Sequence, residues 1–548
     1  MIGRQLIKKT ETLLEKEKGT VYKDPGGRVN VCLAYPNTYH VGMSNLGFQG
    51  IYSILNKRDD TVCERAFLPD KSDLKEFERT GSELFSLESK RPLNRFDIVA
   101  FSVSFENDYP SIPLMLKLAR IGAFTFSSGR NEREPVLLLG GVCAMFNPEP
   151  LSDFFDLIFI GEADSSLDTL IEGYKRYGDK GSFLRAISER DGFYVPGFYE
   201  VIYSDDGKIK ERRTTGNAHR TIKKRTESVL NGRLRSAITT PETEFSNMYL
   251  VEAMRGCVWS CRFCVAGHIY NPPRQKEIGI LKEEIDLAME TTGRVGLIGP
   301  SLTDYRYATE ALQIEGVDFS ITSLRATPKA EKLLALMKGH RSISIAPEAG
   351  TDRLRRIINK RITEEDILET AELILRHDIH TLRLYFMIGL PFETEEDING
   401  IINLAKKIRA LNTRGTIVLS TSTFVPKPFT PFQWHPMTAE KTIKARLKMI
   451  KSGLNIKGVR VFHDVIKYAF MQGVFSRGDR RLSQVLYDMK EPGRWKEGLG
   501  DAGLSPDFYL FRERSFEDIL PWDFIDAGIS KKALWEEYMK ARESAGLH

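Results

Sequence analysis

Three of the chain's six cysteines crowd into one short segment, in which Cys257 is followed by Cys261 and Cys264. Three thiolates on one loop can bind three irons of a 4Fe–4S cubane and leave the fourth iron open for chemistry. A zinc site is the main alternative, but zinc sites usually pair two Cys or Cys/His halves. The only nearby fourth ligand here is His268. The spacing therefore predicts an iron–sulfur cluster on this loop.

Six apolar, strand-like runs lie between residue 248 and about residue 440, and the cysteine segment follows the first of them directly. The runs are MYLVEAM (248–254), RVGLIG (294–299), DFSITS (318–323), SISIAP (342–347), TLRLYFMIG (381–389) and IVLSTSTF (417–424). Six β/α units predict an open partial barrel, whose active site gathers at the carboxyl ends of the strands. We assign this barrel to residues 247–440 and expect a mostly helical C-terminal region at 441–548.

The first 190 residues also alternate between apolar runs and amphipathic stretches. The runs are VNVCLAYP (29–36), TVCERAF (61–67), DIVAFSVS (97–104), PVLLLGG (135–141) and DLIFIGE (156–162). Short, continuously apolar strands separated by helices predict a doubly wound parallel sheet, with its ligand crevice at the carboxyl ends of the strands. The fold class is therefore α/β, with this sheet as the N-terminal domain at 1–190, the partial barrel after it and a helical C-terminal extension.

The stretch 191–246 interrupts this rhythm, and we interpret it as a hairpin followed by a basic linker. FYEVIYSDDGKIKERR predicts a hairpin that turns at Asp206-Gly207. Between Lys208 and Arg235 there are ten Lys/Arg and two Glu, a local charge of +8. Such a stretch could follow RNA phosphates, but charge runs in linkers are more often solvated. A small molecule or a peptide is therefore the favoured substrate class.

Composition places few limits on function. The chain is 41% hydrophobic and 28% charged, which is typical of a globular protein. No apolar run approaches the roughly 18 residues that span a bilayer, and the basic start has no apolar stretch behind it. We therefore expect no membrane span and no signal peptide, and a cytoplasmic protein.

The Cys257-x-x-x-Cys261-x-x-Cys264 spacing, with Phe263 before the last cysteine and the loop placed after strand one, resembles the radical S-adenosylmethionine (SAM) superfamily. The resemblance implies a partial (β/α)6 barrel in which the methionine amino and carboxylate groups of SAM chelate the open iron. An electron then cleaves the sulfonium to give a 5′-deoxyadenosyl radical. It also implies a one-electron reductant such as flavodoxin or ferredoxin as partner.

Two further strand ends carry expected SAM contacts. Gly299 and Ser301 end the second strand, where the superfamily usually has a Gly-Gly-Glu that binds the amino group. Because that motif is absent, the contact would come from backbone carbonyls or from Ser301. Ser323 and Arg325 end the third strand, and a guanidinium can bind the SAM carboxylate bidentately.

The fourth and fifth strand ends complete this set. Glu348 follows the fourth strand and could accept hydrogen bonds from the ribose, or could instead be a carboxylate at a helix N-terminus. Gly389 lies in MIGLPFET, which resembles the superfamily's adenine-side loop, where glycine lets the backbone approach the base. An ordinary strand-to-helix turn is the alternative for Gly389.

Several N-terminal segments resemble a poorly characterised group of radical SAM proteins whose N-terminal domain is cobalamin-binding-like. They are AYPNTYHVGMSNLG (34–47), GFQGIYSILN (47–56), Gly140-Gly141 and FIGEAD (159–164), together with VPKPFTPFQW (425–434) and LPWDFIDAG (520–528). In the usual Asp-x-His-x-x-Gly pattern a histidine binds cobalt, but here Asn37 and Tyr39 hold the Asp and His positions and His40 is one residue late. Cobalamin would bind without a protein ligand, or the domain has lost it.

If cobalamin binds, we expect Tyr39 and His40 near its lower face, with Gly140 and Gly141 beside it, where glycine allows close approach to the backbone. A tight turn at the sheet edge is the alternative reading of the glycine pair.

The favoured function is radical methyl transfer, or another radical reaction, at an unactivated carbon. A methylthiotransferase is one alternative, because Cys32, Cys63 and Cys143 could hold a second cluster, although Cys32 lies mid-strand where a core cysteine is the default. A non-catalytic corrinoid or redox sensor is another. The C-terminal segments His463-Asp464, Arg477–Arg481 and Trp522-Asp523 are expected to close the open side of the barrel.

Overall fold

A computed structural model describes residues 2–125, 129–321, 323–337, 341–377, 379–411, 414–489 and 491–547. Its N-terminal sheet has six strands in the order β2-β1-β3-β4-β5-β6. They are β1 (Val29–Tyr35), β2 (Thr61–Phe67), β3 (Ile98–Ser102), β4 (Val136–Gly140), β5 (Leu157–Phe159) and β6 (Phe193–Tyr194). The first five are parallel, as predicted, and the short β6 is antiparallel to β5. This is the doubly wound order, with its crevice where β1 and β3 meet.

Helices cover both faces of this sheet. They are α1 (Arg4–Glu15), α2 (Tyr39–Met43), α3 (Leu46–Lys57), α4 (Lys71–Thr80), α5 (Ser111–Leu118), α6 (Val142–Phe146), α7 (Ser166–Arg176) and α8 (Lys180–Ile187). Successive side chains of a strand point to opposite faces. On β1, Val31 and Leu33 accordingly join a core with α3, α7 and α8, while Cys32 and Ala34 join the core of the other face.

The predicted hairpin is confirmed: β7 (Tyr199–Tyr203) and β8 (Ile209–Thr214) pair antiparallel. The basic stretch after it includes β9 (Ile222–Lys223). It is not simply solvated, because Leu230 and Ile238 are buried among the charges. Gln49 of α3 accepts hydrogen bonds from the N–H of Ala237 (3.0 Å) and Ile238 (3.1 Å). The chain thus lies against the N-terminal domain.

The second half of the chain holds the partial barrel. Its parallel strands are β10 (Tyr249–Glu252), β13 (Arg294–Ile298), β14 (Asp318–Ser320), β15 (Ser342–Glu348), β16 (Thr381–Ile388), β17 (Thr416–Thr423) and β18 (Val459–His463), with β11 (Met254–Arg255) and β12 (Arg274–Gln275) as a small antiparallel pair. β10-β13-β14 and β15-β16-β17-β18 form two sheets, joined by a parallel bridge between Ser323 and Ser344.

β18 is one parallel strand more than the six that the sequence predicts. Its residues alternate between half-buried and exposed, as an edge strand with one solvated face does. VRVFH therefore lacks the continuous apolar run by which the other strands are recognised.

Helices of the barrel lie on its outside and continue into the C-terminal region. They are α9 (Ala266–Ile269), α10 (Ile278–Met289), α11 (Ala308–Leu312), α12 (Ala330–Leu336), α13 (Asp352–Ile357), α14 (Glu364–Arg376), α15 (Glu395–Leu411), α16 (Glu440–Gly453), α17 (Ile466–Arg477), α18 (Leu482–Asp488), α19 (Trp495–Asp501), α20 (Pro506–Leu510) and α21 (Lys531–Ser544). β19 (Ile525–Asp526) pairs with β9. The C-terminal region is thus mainly helical, as expected, and reaches back to the basic stretch.

The carboxyl-end loops of the N-terminal sheet contact those of the barrel. After β5, Glu162 binds Arg255 and Arg274, which flank the cysteine loop. After β3, Glu106 pairs with Lys427, which follows β17. The carboxyl ends of the N-terminal sheet and those of the barrel, where ligands are expected, therefore face each other. Within the described ranges, no helix is long and apolar enough to cross a membrane.

Candidate functional site

The cysteine loop begins directly after β11 and ends at α9. Gly256 opens it with a φ of +79°, and a Cβ there would lie 2.4 Å from the carbonyl oxygen of Tyr270. Cys261 is buried, and Cys257 and Cys264 are partly exposed. Backbone N–H groups of Ala266 and Gly267, at the start of α9, hydrogen-bond the Cys264 sulfur. The loop thus packs against Tyr270 and the start of α9, and its three thiols lie at the barrel mouth.

The surroundings of these thiols suit an anionic cluster. Burial raises the pKa of the Cys261 thiol to about 11, although the nearby Lys360 and Arg325 cations act in the opposite direction. Burial also raises the pKa of Cys264. Without a metal these thiols hold their protons, and a bound iron would displace them. Cations and N–H donors beside the sulfurs then stabilise the negative charge of a thiolate-bound cluster. The donor set therefore fits a 4Fe–4S cluster.

His268 does not complete a zinc site. Its Nδ1 lies 2.7 Å from the carbonyl oxygen of Cys264, which orients the ring along the loop backbone. In the described parts of the chain, no three His, Cys, Asp or Glu side chains converge on a point that one metal ion could occupy. A cubane needs no such convergence, because each thiolate binds a separate iron.

Arg325 lies over Trp259 of the cysteine loop. Its guanidinium stacks 3.6 Å from the Trp259 ring centre, and Nη2 donates to the carbonyl oxygens of Lys360 (2.8 Å) and Arg361 (3.2 Å). Its buried Nε has no hydrogen-bond partner among the described residues. A guanidinium that is held in place and keeps one N–H unused is suited to bind the carboxylate of SAM.

Ser301 and Ser323 lie at the same mouth but differ in environment. Ser301 donates to Asp304 (2.6 Å), which also accepts from Trp259 Nε1 (2.5 Å). This chain of bonds connects the second strand end to the cysteine loop. Ser323 is exposed. At Gly299, a Cβ would lie 2.4 Å from Met254 Cγ, so packing against β11 already requires glycine there.

Glu348 ends β15 beside the cluster loop. Its φ is +65°, which is unusual for a residue other than glycine and directs its side chain out of the strand geometry. Its Oε1 lies 3.1 Å from Lys360 Nζ, and both side chains are largely buried. Glu348 also acts electrostatically on Cys261 and Cys264. Glu348 therefore lies near Cys261 and Cys264, together with a lysine that the sequence did not point to.

Both backbone polar groups of Gly389 are hydrogen-bonded within the protein. Its N–H donates to Glu393 (2.8 Å), and its carbonyl accepts from Thr438 (3.2 Å). Its φ is +82°, and a Cβ would meet the Ile443 side chain at 2.5 Å. These contacts are those of a strand-to-helix turn. Burial raises the pKa of Glu393 to about 7, and Arg446 binds its carboxyl group (2.7 Å).

A buried ion-pair group holds the cysteine loop to the N-terminal sheet. Glu162 accepts from Arg255 (2.6 Å) and from Arg274 (2.7 Å), and Arg255 also binds Glu252 (2.8 Å) and Asp164 (3.3 Å). The side chains of these five residues are between 2% and 11% exposed. Sequence reasoning missed this group. The sequence signal that could have indicated it is the presence of charged residues at strand ends: Glu162 and Asp164 in FIGEAD, and Arg255 two residues before Cys257.

The four residues predicted near cobalamin line two different cavities. Tyr39 and His40 line one of about 390 Å³ beside α1 and α4. Tyr39 donates to Glu17 (2.5 Å), and His40 is exposed. Gly140 and Gly141 line another, largely apolar slot of about 80 Å³ between the sheet, α3 and α7. The structure therefore does not bring the two pairs together.

Gly140 and Gly141 of the second cavity differ in how much space surrounds their α-carbons. A Cβ on Gly141, whose φ is +96°, would lie 2.4 Å from the Val103 carbonyl oxygen, so this residue serves the close approach of two loops. A Cβ on Gly140 would meet no atom of the described residues within 4 Å. Only Gly140 thus leaves room for a ligand.

Cys32, Cys63 and Cys143 are all fully buried, and burial raises the pKa of each. Cys32 and Cys143 belong to the core on one face of the sheet, and Cys63 belongs to the core on the other. Because a sheet separates them, these three thiols cannot bind one cluster together.

A partial parallel barrel with three cysteines after its first strand is the architecture of the radical SAM class. Residues 251–405 match the family model described as the radical SAM superfamily. Residues 47–196 match the model described as radical SAM proteins, N-terminal. The chain thus contains a radical SAM domain and an N-terminal domain of the kind found in radical SAM proteins. These domains indicate an enzyme, and the radical SAM domain implies a 4Fe–4S cluster and SAM.

The chain is also similar to several individual proteins. It is 29% identical over 499 residues to the uncharacterized protein MJ0966 of Methanocaldococcus jannaschii, covering 90% of this chain and 98% of that protein. It is 25% identical to the tRNA-2-methylthio-N(6)-dimethylallyladenosine synthase of Chromohalobacter salexigens, over 38% of this chain and 50% of that enzyme. The cobalamin-dependent SAM radical enzyme OxsB with aqua-cobalamin bound has a TM-score of 0.47 and 13% identity, covering 94% and 80% of the two chains.

Proposed function

We propose that the protein reductively cleaves SAM at a 4Fe–4S cluster on Cys257, Cys261 and Cys264 to start a radical reaction at an unactivated carbon. The observation that carries this proposal is the gathering of Arg325 and Glu348 at the mouth where the cysteines lie. The cluster, when bound, supplies the electron for the cleavage.

The chain's own groups bind and orient the cofactor. Arg325, fixed over Trp259, uses its spare Nε–H to hold the SAM carboxylate. Glu348 accepts hydrogen bonds from the ribose hydroxyls, and Lys360 keeps its carboxylate in place.

The test is anaerobic reconstitution with iron and sulfide, followed by reduction with dithionite in the presence of SAM. We expect about four irons per chain and 5′-deoxyadenosine detected by mass spectrometry. Changing Cys257, Cys261 and Cys264 together to Ala should remove both. Cys143→Ala is the matched control and should keep the iron, because Cys143 is a core residue. Iron retained in the triple variant would refute the assignment. Near eight irons in the wild type would contradict the separation of Cys32, Cys63 and Cys143 across the sheet and would favour the methylthiotransferase alternative.

A corrinoid is the second cofactor we propose, on the observation of the apolar slot at the carboxyl ends of β3 and β4. The slot is lined by Ser102, Gly140 and Gly161 and by apolar side chains of α3 and α7, which suits a flat aromatic base such as that of the cobalamin nucleotide tail. Such a cofactor would make methyl transfer the favoured reaction.

Aquacobalamin binding, followed by its visible absorbance after gel filtration, tests this second proposal. We expect Gly140→Leu to fold normally but lose the corrinoid, because its side chain would fill the slot. Leu167→Ala on α7, which enlarges the slot, should keep it. Retention of corrinoid by Gly140→Leu would place the cofactor elsewhere.

The proposed partner is a one-electron reductant of the flavodoxin or ferredoxin type, reaching the cluster loop from the side where Val258 is exposed. The proposed substrate is a small molecule or a peptide.

A further inference from the structure

Two arginines of the C-terminal region are buried without a counter-charge. Arg477, the last residue of α17, is fully buried, and Arg514 is 3% exposed. No Asp or Glu oxygen lies within ion-pair distance of either guanidinium in the part of the chain that the structure describes. Arginine stays protonated in proteins. A buried charge that lacks a partner is costly, so such a pair requires an explanation.

Several N–H donors of these two residues are unused. Arg477 Nη1 donates to the carbonyl oxygens of His435 (3.0 Å) and Leu510 (3.4 Å), and Arg514 Nη2 donates to the carbonyl oxygen of Arg477 (3.0 Å). Nε and Nη2 of Arg477, and Nε and Nη1 of Arg514, are buried and have no hydrogen-bond partner among the described residues. Buried donors are nearly always satisfied in native proteins. Four orphan donors on two adjacent cations indicate a missing acceptor.

The nearby carboxylates are already bound to other cations. Asp479 pairs with Arg481 (2.8 Å) and accepts from Tyr509 (3.2 Å). Asp518 pairs with Arg512 (2.6 Å) and with Lys208 (3.4 Å). Lys208 also pairs with the exposed Asp206 (3.5 Å). The cluster formed by Lys208, Arg477, Arg481, Arg512 and Arg514 with Asp206, Asp479 and Asp518 therefore carries five positive and three negative charges. Burial, and repulsion from Arg514 and Arg512, lower the pKa of Arg477.

A small cavity lies within this cluster. It has a volume of about 20 Å³ and is lined by Arg477 and Arg514, by the hairpin turn at Gly207–Ile209 and by the segment Asp518–Pro521. A space of this size holds one water-sized group and is too small for phosphate or sulfate. Water would accept hydrogen bonds but would leave the excess positive charge uncompensated.

We propose that a monatomic anion, chloride in ordinary solution, binds between Arg477 and Arg514. It accepts the orphan N–H groups and neutralises part of the excess charge. Its binding joins three segments that are distant in sequence: the β7–β8 hairpin, the end of α17 and the segment before β19. The RGDRR sequence at 477–481 is then one wall of an anion site that stabilises the C-terminal region.

Crystals of the full chain soaked in sodium bromide give the direct test. We expect an anomalous bromide peak between the two guanidiniums, within hydrogen-bonding reach of the orphan nitrogens. Thermal unfolding in sodium chloride and in sodium gluconate at equal ionic strength gives the second test. Chloride should raise the wild-type Tm by on the order of 2 °C or more, with saturation, because it binds only the folded state.

Arg514→Met distinguishes an anion site from a merely structural arginine. Because it removes one uncompensated cation, the variant should be at least as stable as the wild type in gluconate and should lose the chloride effect. Arg446→Met is the matched control: Arg446 is paired with Glu393, so this variant should be less stable in both salts and keep the chloride effect. If Arg514→Met does not fold, Arg477→Met replaces it. A wild-type Tm that is equal in both salts, or a cavity that holds only water in the bromide-soaked crystals, would overturn the proposal.

Discussion

Replacing Glu162 by glutamine should weaken both the fold and the iron loading, because this carboxylate is the counter-charge for Arg255 and Arg274 beside the cysteine loop. Glu162 is 2% exposed in its side chain and makes contacts of 2.6 and 2.7 Å to the two guanidiniums. Removing one partner of a buried ion pair costs about 3–5 kcal/mol. Arg255 retains Glu252 and Asp164, whereas among the described residues Arg274 retains only backbone carbonyls. We therefore expect about 3 kcal/mol, the lower end of that range.

Urea unfolding of the anaerobic protein measures this loss, and the iron-to-protein ratio measures the effect on the loop. The two arginines hold the pKa of Glu162 below its ordinary value of 4.5 in spite of burial. A lowered folded-state pKa stabilises the protein fully above pH 4.5, and the gain is lost as the pH falls through the folded pKa. The difference between wild type and variant should thus be constant from about pH 6 to 8 and shrink on acidification below 4.5.

Glu440→Gln is the matched control, since Glu440 pairs with Lys444 on an exposed helix surface and such pairs contribute about 1 kcal/mol or less. The reasoning fails if Glu162→Gln is as stable and as well loaded with iron as this control.

Three further outcomes follow from the site. Arg325→Ala and Glu348→Gln should each weaken SAM binding by about 1–3 kcal/mol, the cost of a lost charge-assisted hydrogen bond. The SAM-induced change in the EPR signal of the reduced cluster measures the SAM affinity. An unchanged affinity in both variants would refute the roles assigned to the two residues. Gly141→Ala should cost about 1–3 kcal/mol in urea unfolding because of its φ of +96°, whereas Gly140→Ala should be tolerated; equal stabilities would contradict the assigned geometry. Protein loaded with reduced cobalamin should show no protein-nitrogen splitting in EPR, because Tyr39 offers only oxygen and His40 lines a cavity other than the slot at Gly140. A splitting that is lost in His40→Ala would show that His40 is a cobalt ligand.

The sequence alone determined the local features of this protein. Apolar runs predict β1 to β5 and six strands of the barrel, because buried parallel strands are continuously apolar. Asp206-Gly207 predicts the hairpin turn, and the spacing of three cysteines predicts a cluster loop after the first barrel strand. β18 escaped prediction because an edge strand with a solvated face has no such run.

Only the tertiary structure decided which distant groups meet. Glu162 and Arg255 are 93 residues apart, and nothing in either local sequence specifies their contact. The separation of Tyr39 from Gly140, and of Cys32 from Cys63 across the sheet, depends on the register of strands and on which face each side chain points to. The same holds for Arg325 over Trp259 and for the unpaired Arg477 and Arg514. A residue type states which bond a side chain can make, but burial and long-range packing decide which partner it finds.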